Sequence, residues 1–287
     1  MAQSVLRSRW VVANGVKTHY TEAGSAGRTI VALHGGGAGS SGEAGMGLVM
    51  PYLADDFWVI APDSVGGYGK TDPFAPTPLG LINRVSHLED FVDALCLDKF
   101  TIMGNSQGAW AALRYAALHP DKIEKIICVS SVTIAQGMGI NQGPTPAMKA
   151  LLEYDGTRPG MKKLLEALII DQSKITDALI DRRQEAATRP GALAAADAFA
   201  KATAALRNDP LLQAQMDLRE SLPMLAKRKP MIFLWGEQDT FGLPETGRQI
   251  EKLLPEVKFY WIPGAGHQVQ TDKPAESAKI IRDFVLG

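Results

Sequence analysis

A serine stands between two glycines in the segment 104–108, Gly-Asn-Ser-Gln-Gly, which fits the pattern Gly-x-Ser-x-Gly. An apolar run at 100–103 precedes this segment, and an alanine-rich helical pattern from 109 onward follows it. A tight turn between a strand and a helix projects the serine hydroxyl away from the sheet, where it can attack a carbonyl carbon. The same residues alone would also fit an ordinary turn with a helix-capping serine. Ser106 is therefore a candidate nucleophile whose partners must come from elsewhere in the chain.

Two later segments offer the base and the acid that a serine nucleophile needs. His267 ends the segment Gly-Ala-Gly-His, between the last predicted strand and the last predicted helix. Asp239 follows the strand predicted at 231–235, where a carboxylate can accept the Nδ1 hydrogen of the histidine and fix its tautomer. Glu237 lies in the same loop and is the competing acid. We expect none of the other four histidines to act as the base: His19, His34, His87 and His119.

Backbone hydrogen-bond donors for a developing oxyanion are available in the segment His-Gly-Gly-Gly at 34–37, which follows an apolar run at 29–33. Glycines leave the N–H groups of a loop open to a bound oxyanion. The backbone N–H of Gln107, the residue after the candidate nucleophile, is the second expected donor. A phosphate-binding loop is excluded because neither Gly-x-x-x-x-Gly-Lys-Ser/Thr nor a Gly-x-Gly-x-x-Gly strand-to-helix turn is present.

The elements that must position these residues form an alternating pattern of apolar runs and helical periodicities. Strands are predicted at 10–12, 18–21, 29–33, 57–61, 100–103, 123–130, 231–235 and 257–261, and helices at 88–97, 109–118, 250–254 and 278–285. Such alternation predicts a mostly parallel sheet covered by helices on both faces. Asn14-Gly15 predicts a hairpin that adds an antiparallel edge to this sheet.

One region breaks the alternation. Residues 133–217 contain no convincing strand, but helical patterns occur at 148–152, 161–170 and 175–187. The apolar positions of these patterns would either pack against the main domain or line a pocket. We therefore predict an α/β core made of residues 1–132 and 218–287, with a helical lid inserted at 133–217.

The composition excludes several classes of protein. The chain of 287 residues has 30 Lys plus Arg and 31 Asp plus Glu, a net charge of −1, and no block of like charges, so no nucleic-acid partner is expected. Cys96 and Cys128 have neither Cys-x-x-Cys spacing nor a partner cluster, so metal binding and redox chemistry are unsupported. No apolar run approaches the roughly 20 residues that span a bilayer, and no leader is recognised, so we expect a cytoplasmic location without membrane contact.

The three candidate residues occur in the order Ser106, Asp239, His267, which is the chain order of α/β-hydrolases. The chain resembles one family of that fold, the meta-cleavage product hydrolases, which cleave carbon–carbon bonds in ring-opened products of aromatic degradation. The resemblance covers nearly the whole chain. It is carried by His-Gly-Gly-Gly-Ala-Gly at 34–39, Gly-Tyr-Gly-Lys-Thr-Asp at 67–72, Asn105 directly before Ser106, Tyr154-Asp155, and residues 179–187.

The resemblance implies roles for further residues. It implies Gly36 and Gln107 as oxyanion-hole amides, Asn105 near the dienoate end of the substrate, and Arg183 as a lid arginine that contacts the carboxylate. The adjacent Arg182 makes the last assignment ambiguous by one position. We also expect Gly35 and Gln268 to line the substrate site. The chain departs from the family at two positions, Gln268 where Trp is usual and Gly45 where Asn is usual, which affects the pocket and leaves the triad untouched.

The activity that the resemblance implies is hydrolysis of a 2-hydroxy-6-oxohexa-2,4-dienoate-type compound to a hydroxypentadienoate and a carboxylic acid. It implies no metal and no organic cofactor, and it suggests self-association. A carboxylesterase, lactonase or amidohydrolase of the same fold is the closest alternative, because the triad suits any acyl transfer. A non-catalytic small-molecule receptor is the alternative from another class, and the presence of Ser106, Asp239 and His267 argues against it.

Overall fold

Eight strands form one sheet in a computed structural model that describes residues 6–75 and 77–287. The sheet order is β1-β2-β4-β3-β5-β6-β7-β8. The strands are β1 (Arg7–Ala13), β2 (Val16–Ala23), β3 (Arg28–Leu33), β4 (Phe57–Pro62), β5 (Phe100–Asn105), β6 (Ile123–Val129), β7 (Met231–Gly236) and β8 (Lys258–Ile262). The pairs β1–β2 and β2–β4 are antiparallel, and the other neighbours are parallel. This confirms the predicted mostly parallel sheet.

The antiparallel edge begins with the hairpin between β1 and β2. Asn14 and Gly15 occupy its turn with φ values of 46° and 84°. Two consecutive residues with positive φ give a turn whose twist matches that of the flanking strands, and Asn-Gly adopts it readily. The predicted hairpin is confirmed, and Ala13 pairs with Val16 directly beside the turn.

Helices cover the sheet and fill the long connection between β6 and β7. They are α1 (Gly42–Met46), α2 (Met50–Leu53), α3 (Asn83–Ala94), α4 (Gln107–Leu118), α5 (Val132–Gly137), α6 (Pro146–Leu152), α7 (Arg158–Glu166), α8 (Asp177–Thr188), α9 (Ala192–Ala205), α10 (Pro210–Met216), α11 (Ser221–Arg228), α12 (Pro244–Leu253), α13 (Val269–Asp272) and α14 (Pro274–Leu286). The four helices predicted for the core correspond to α3, α4, α12 and α14. None of the helices in the described ranges is long and apolar enough to cross a membrane.

Successive residues of the central strands face opposite sides of the sheet and enter different apolar cores. Ile102 of β5 packs in one core with Phe91 of α3 and Trp110 of α4. Its neighbour Met103 packs in the second core with Ile281 of α14. Burial on both faces explains why these strands are continuous apolar runs in the sequence.

The segment from α5 to α11 lies between β6 and β7, and its described residues contain no strand. Helices α7 and α8 form a third apolar core, which includes Leu164, Leu165 and Ile180 and reaches Ala44 of α1. The helical predictions at 148–152, 161–170 and 175–187 correspond to α6, α7 and α8, whereas α5, α9, α10 and α11 have no predicted counterpart. Helix α9 is rich in alanine, which favours a helix but gives little apolar periodicity. The division into a core and a lid at 133–217 stays a prediction.

Candidate active site

Ser106 lies at the turn between β5 and α4 with φ 56° and ψ −120°. A non-glycine residue adopts this backbone conformation only when its surroundings impose it. The N–H of Ser106 donates to the carbonyl oxygen of Val129 at 2.9 Å, and the hydroxyl of Ser131 donates to the carbonyl oxygen of Ser106 at 2.7 Å. These contacts hold the turn in place, so its strained conformation persists and presents the serine at the carboxyl edge of the sheet.

The two glycines of the pattern are required by close packing around this turn. A Cβ atom on Gly104 would overlap the backbone of Gly108. A Cβ atom on Gly108 would overlap the carbonyl oxygen of Leu33 at the end of β3. Gly-x-Ser-x-Gly is therefore the pattern that lets α4 start directly against β3 and β5.

His267 and Asp239 are hydrogen-bonded to each other beyond the ends of β8 and β7. The Nδ1 atom of His267 lies 2.9 Å from Oδ2 of Asp239, and both side chains are buried. The other carboxylate oxygen of Asp239 accepts the N–H groups of Phe241 and Gly242, each at 2.8 Å. Nε2 of His267 is buried and has no hydrogen-bond partner among the residues described. The carboxylate therefore orients the ring and leaves Nε2 available for a proton.

Asp239 and the competing acid Glu237 occupy different environments. The Glu237 side chain is exposed, and its backbone N–H donates to the carbonyl oxygen of Ile262. The structure thus brings Asp239, and not Glu237, to His267. Asn105 adds a second tie to the base, because its Nδ2 donates to the carbonyl oxygen of His267 at 2.9 Å. Its proposed contact with substrate stays a prediction.

The glycine loop passes three side chains in succession. A Cβ atom on Gly35 would lie 3.3 Å from Cβ of Ser106, and one on Gly36 would lie 2.7 Å from the Gln107 side-chain amide. A Cβ atom on Gly37 would lie 3.5 Å from Nη2 of Arg183. The loop therefore brings the predicted oxyanion donors, the amides of Gly36 and Gln107, into one neighbourhood beside Ser106. It also connects that neighbourhood to Arg183.

Arg183 of α8 is buried, and its guanidinium bonds to neutral groups. Nη2 donates to the carbonyl oxygen of Ala38 at 2.8 Å and to the hydroxyl of Ser40 at 3.0 Å. Burial lowers the pKa of Arg183 to about 10, so the group is still a cation at neutral pH. Its neighbour Arg182 instead pairs with Glu43 at 2.9 Å and is partly exposed. Of the two adjacent arginines, Arg183 is thus the one that faces the glycine loop.

Gln268 and the residues after it connect the loop of the base to the lid segment. The N–H of Gln268 donates to the carbonyl oxygen of Leu168 at 3.2 Å, and its Oε1 accepts the Thr271 hydroxyl at 3.2 Å. The buried Asp272 carboxylate accepts the N–H groups of Gly266 at 2.7 Å and Asp171 at 2.8 Å. We call these contacts the lid anchor. Gln268 thus links the loop of the base to the predicted lid, and its contact with substrate stays a prediction.

Gly45, the other departure from the family pattern, lies in α1. Its carbonyl oxygen accepts Nε2 of Gln270 at 3.0 Å, and a Cβ atom there would lie 3.1 Å from Cβ of His34. Both departures therefore lie beside α13.

A second Ser–His–Asp arrangement exists at the edge of the sheet. Oγ of Ser8 lies 2.7 Å from Nε2 of His19, and Nδ1 of His19 lies 2.8 Å from Oδ2 of Asp63. Ser8 is exposed within the extended strand β1, whereas Ser106 lies at a strained turn beside a glycine loop. The Ser106 arrangement is therefore the candidate site. No local sequence pattern indicates the second arrangement, because its members come from three distant segments.

Phe241 and Ser131 also contact the site and were missed from the sequence. The Phe241 ring lies 4.4 Å from the His267 ring, centroid to centroid. Phe241 follows the acid by two residues, and Ser131 is the second residue after β6, so position beyond a strand end is the signal that could have indicated them. In the described ranges, no group of three or more His, Cys, Asp or Glu side chains is arranged to hold a metal ion.

Comparison with known proteins agrees with the fold. The family described as alpha/beta hydrolase fold matches residues 28–274. The chain therefore belongs to the α/β-hydrolase fold family, as predicted.

Two relatives within that family are hydrolases of 2-hydroxy-6-oxo dienoates by name. The chain is 30% identical over 282 residues to 2-hydroxy-6-oxo-2,4-heptadienoate hydrolase of Pseudomonas putida, an alignment that covers 97% of this chain and 96% of the relative. It is 30% identical over 285 residues to 2-hydroxy-6-oxo-6-(2'-aminophenyl)hexa-2,4-dienoic acid hydrolase of Metapseudomonas resinovorans, covering 99% and 92%. The predicted resemblance to the meta-cleavage product hydrolases is confirmed.

A solved structure gives the same result. The crystal structure of a serine hydrolase involved in carbazole degradation aligns with a TM-score of 0.78 at 30% identity, covering 98% of this chain and 99% of that one. The predicted enzyme class, a hydrolase of the α/β fold, is confirmed.

Proposed function

We propose that this enzyme hydrolyses a carbon–carbon bond in 2-hydroxy-6-oxohexa-2,4-dienoate-type compounds. The observation that carries the substrate class is the buried guanidinium of Arg183, which in the described chain has no carboxylate partner. Burying a charge is costly unless it is paired, so an unpaired buried cation beside a catalytic loop suits an anionic ligand. The names of the two relatives, both hydrolases of 2-hydroxy-6-oxo dienoates, support the same class.

The proposed mechanism begins with proton transfer from the 2-hydroxyl group to C5, which converts the dienol to a ketone. His267 removes the proton of Ser106, whose oxygen adds to the C6 carbonyl, and the oxyanion accepts the N–H groups of Gly36 and Gln107. The C5–C6 bond then breaks, and its electrons pass to the fragment that carries the 2-oxo group. That fragment is a dienolate, which takes a proton at its 2-oxygen to give the hydroxypentadienoate. Water hydrolyses the acyl-enzyme to the carboxylic acid and restores Ser106.

The lid at 133–217 is proposed to exclude water from this reaction. The third apolar core, formed by α7 and α8, includes Ala44 of α1, and Leu151 of the predicted lid lies against Gly37 of the glycine loop. An apolar cover strengthens electrostatic interactions with the substrate because it lowers the local dielectric constant. Cytoplasmic location and self-association stay predictions that accompany this proposal.

Arg183→Ala should damage turnover of the dienoate much more than turnover of a neutral aryl ester. Losing one partner of a buried charge pair costs about 2 kcal/mol or more, so kcat/KM for the dienoate should fall at least about 30-fold. The ester has no carboxylate, so its kcat/KM should change only a few-fold. Loss of colour of a yellow dienoate and release of p-nitrophenol measure the two rates.

Arg182→Ala is the matched control, since Arg182 pairs with Glu43 at the surface one position away. It should leave kcat/KM for both substrates within about two-fold of the unmodified enzyme, because ion pairs at the surface contribute little to stability. Equal losses on both substrates in Arg183→Ala would contradict the carboxylate role. Fast ester turnover by the unmodified enzyme without dienoate turnover would show an esterase instead.

A further inference from the structure

A second buried guanidinium, that of Arg84 in α3, lies beneath the glycine loop. Its Nη1 donates to the carbonyl oxygen of Gly35 and to Oε1 of Gln107, both at 3.2 Å. Its Nη2 donates to the carbonyl oxygen of His34. Only 2% of the residue is exposed, and within the described residues no carboxylate pairs with it.

The charge of Arg84 survives this burial. Burial lowers its pKa to about 10, which leaves the guanidinium protonated at neutral pH. The Tyr68 ring, whose centroid lies 5.2 Å from Cζ of Arg84, covers it on one side. An unpaired cation at such a place is unfavourable for stability alone, so its contacts indicate a use in the site.

Arg84 bonds to the peptide unit that carries the first oxyanion donor. The Gly35 carbonyl and the Gly36 N–H belong to one planar trans peptide, in which they point in opposite directions. A donor fixed on the carbonyl therefore sets the direction of the N–H, away from Arg84. The same Nη1 atom holds the side chain of Gln107, whose backbone N–H is the second donor.

We propose that Arg84 is a positioning residue for the oxyanion hole. It holds the backbone N–H groups of Gly36 and Gln107 in the direction of the oxyanion, and its charge strengthens the hydrogen bonds that they donate. This inference rests on the oxyanion loop assigned in the proposed function. Donors that are fixed before the reaction need no reorganisation when the oxyanion forms, which is the main source of their effect. A cation that binds the carbonyl oxygen of a peptide also polarises the peptide, which makes its N–H a stronger donor to the oxyanion. The effect is larger where the dielectric constant is low.

Arg84→Met and Arg84→Lys test this role with three readouts: kcat and KM on the dienoate, kcat and KM on p-nitrophenyl acetate, and the rate of Ser106 labelling by a fluorophosphonate. Removing a single oxyanion donor lowers kcat about 10²- to 10³-fold, so Arg84→Met should lower kcat and the labelling rate about 100-fold. KM should stay within about three-fold, because the oxyanion exists only in the transition state. Arg84→Lys keeps the charge, so its kcat and its labelling rate should be about ten-fold higher than those of Arg84→Met.

Arg189→Met is the matched control, because the Arg189 guanidinium likewise donates to backbone carbonyls, those of Tyr68 and Thr71, but to none in the glycine loop at 34–37. It should lower the melting temperature about as much as Arg84→Met while leaving kcat within about two-fold. A kcat loss in Arg84→Met no larger than in this control, or a loss confined to KM, would overturn the proposal. If Arg84→Met does not fold, a wild-type kcat in Arg84→Lys would overturn it.

The ester and labelling experiments separate this inference from the proposed substrate. An unmodified enzyme that hydrolyses the ester but no dienoate would refute the dienoate assignment. The Arg84 variants would still report on the oxyanion hole through kcat on the ester and through the labelling rate.

Discussion

Asp239→Asn should lower kcat about 10⁴-fold on both the dienoate and the ester. One carboxylate oxygen of Asp239 accepts two backbone N–H groups, so the side-chain oxygen of an asparagine must take that position. Its NH₂ group would then face Nδ1 of His267, which must accept a hydrogen bond instead of donating one. The ring proton would move to Nε2, and the base could no longer take the proton of Ser106. Steady-state kinetics and a melting curve of the variant measure the effect.

Glu237→Gln is the control for this prediction, since Glu237 lies two residues earlier in the same loop and is exposed. It should keep kcat within about two-fold, as expected for a surface substitution. A large loss in Glu237→Gln together with near-normal kcat in Asp239→Asn would reverse the assignment of the acid.

Ser106→Ala should lower kcat about 10⁶-fold, close to the effect of removing the nucleophile of other serine hydrolases. It should also abolish labelling by a fluorophosphonate, because the labelled atom is the serine oxygen. The variant should fold normally, since within the described residues the contacts that hold this turn use the backbone of Ser106. Labelling followed by peptide mapping identifies the modified residue.

Ser8→Ala separates the two Ser–His–Asp arrangements of the molecule. Ser8 has hydrogen-bond distances to His19 that suit a nucleophile, but it lies in an extended strand. We expect full activity and full labelling in this variant. Labelling of Ser8 in Ser106→Ala, or loss of dienoate turnover in Ser8→Ala, would show that the edge arrangement is the reactive one.

The fold and the positions of Ser106 and His267 could be predicted because their signals are local. The glycines around Ser106 are imposed by contacts with β3 and α4, and these contacts leave a pattern within five residues. The central strands are likewise predictable, because burial on both faces of the sheet requires a continuous apolar run.

What could not be predicted depends on contacts between distant segments. Asp239 is predicted as the acid, but residue type and loop do not separate it from Glu237, and the position of His267 does. Arg84 is one charged residue in a helix of mixed composition, and its role depends on carbonyl groups about 50 residues earlier in the chain. Asn105 is predicted next to substrate, and nothing in its sequence context indicates that its Nδ2 donates to the backbone carbonyl oxygens of Val129 and His267. A sequence pattern identifies a residue type and its element, but it does not identify such partners.

The lid anchor divides the predicted lid into a part that is hydrogen-bonded to the loop of the base and a part that is not. Through Leu168, Asp171 and Asp272, the segment after α7 shares hydrogen bonds with the loop that carries the base. An insertion or deletion in that segment would displace His267 and reduce activity toward every substrate. Within the described chain, helices α6 and α9 have no such hydrogen bond to the loop of the base, so we expect changes there to alter the substrate range more than the chemistry. Directed evolution of substrate range should therefore accumulate its successful substitutions in α6 and α9.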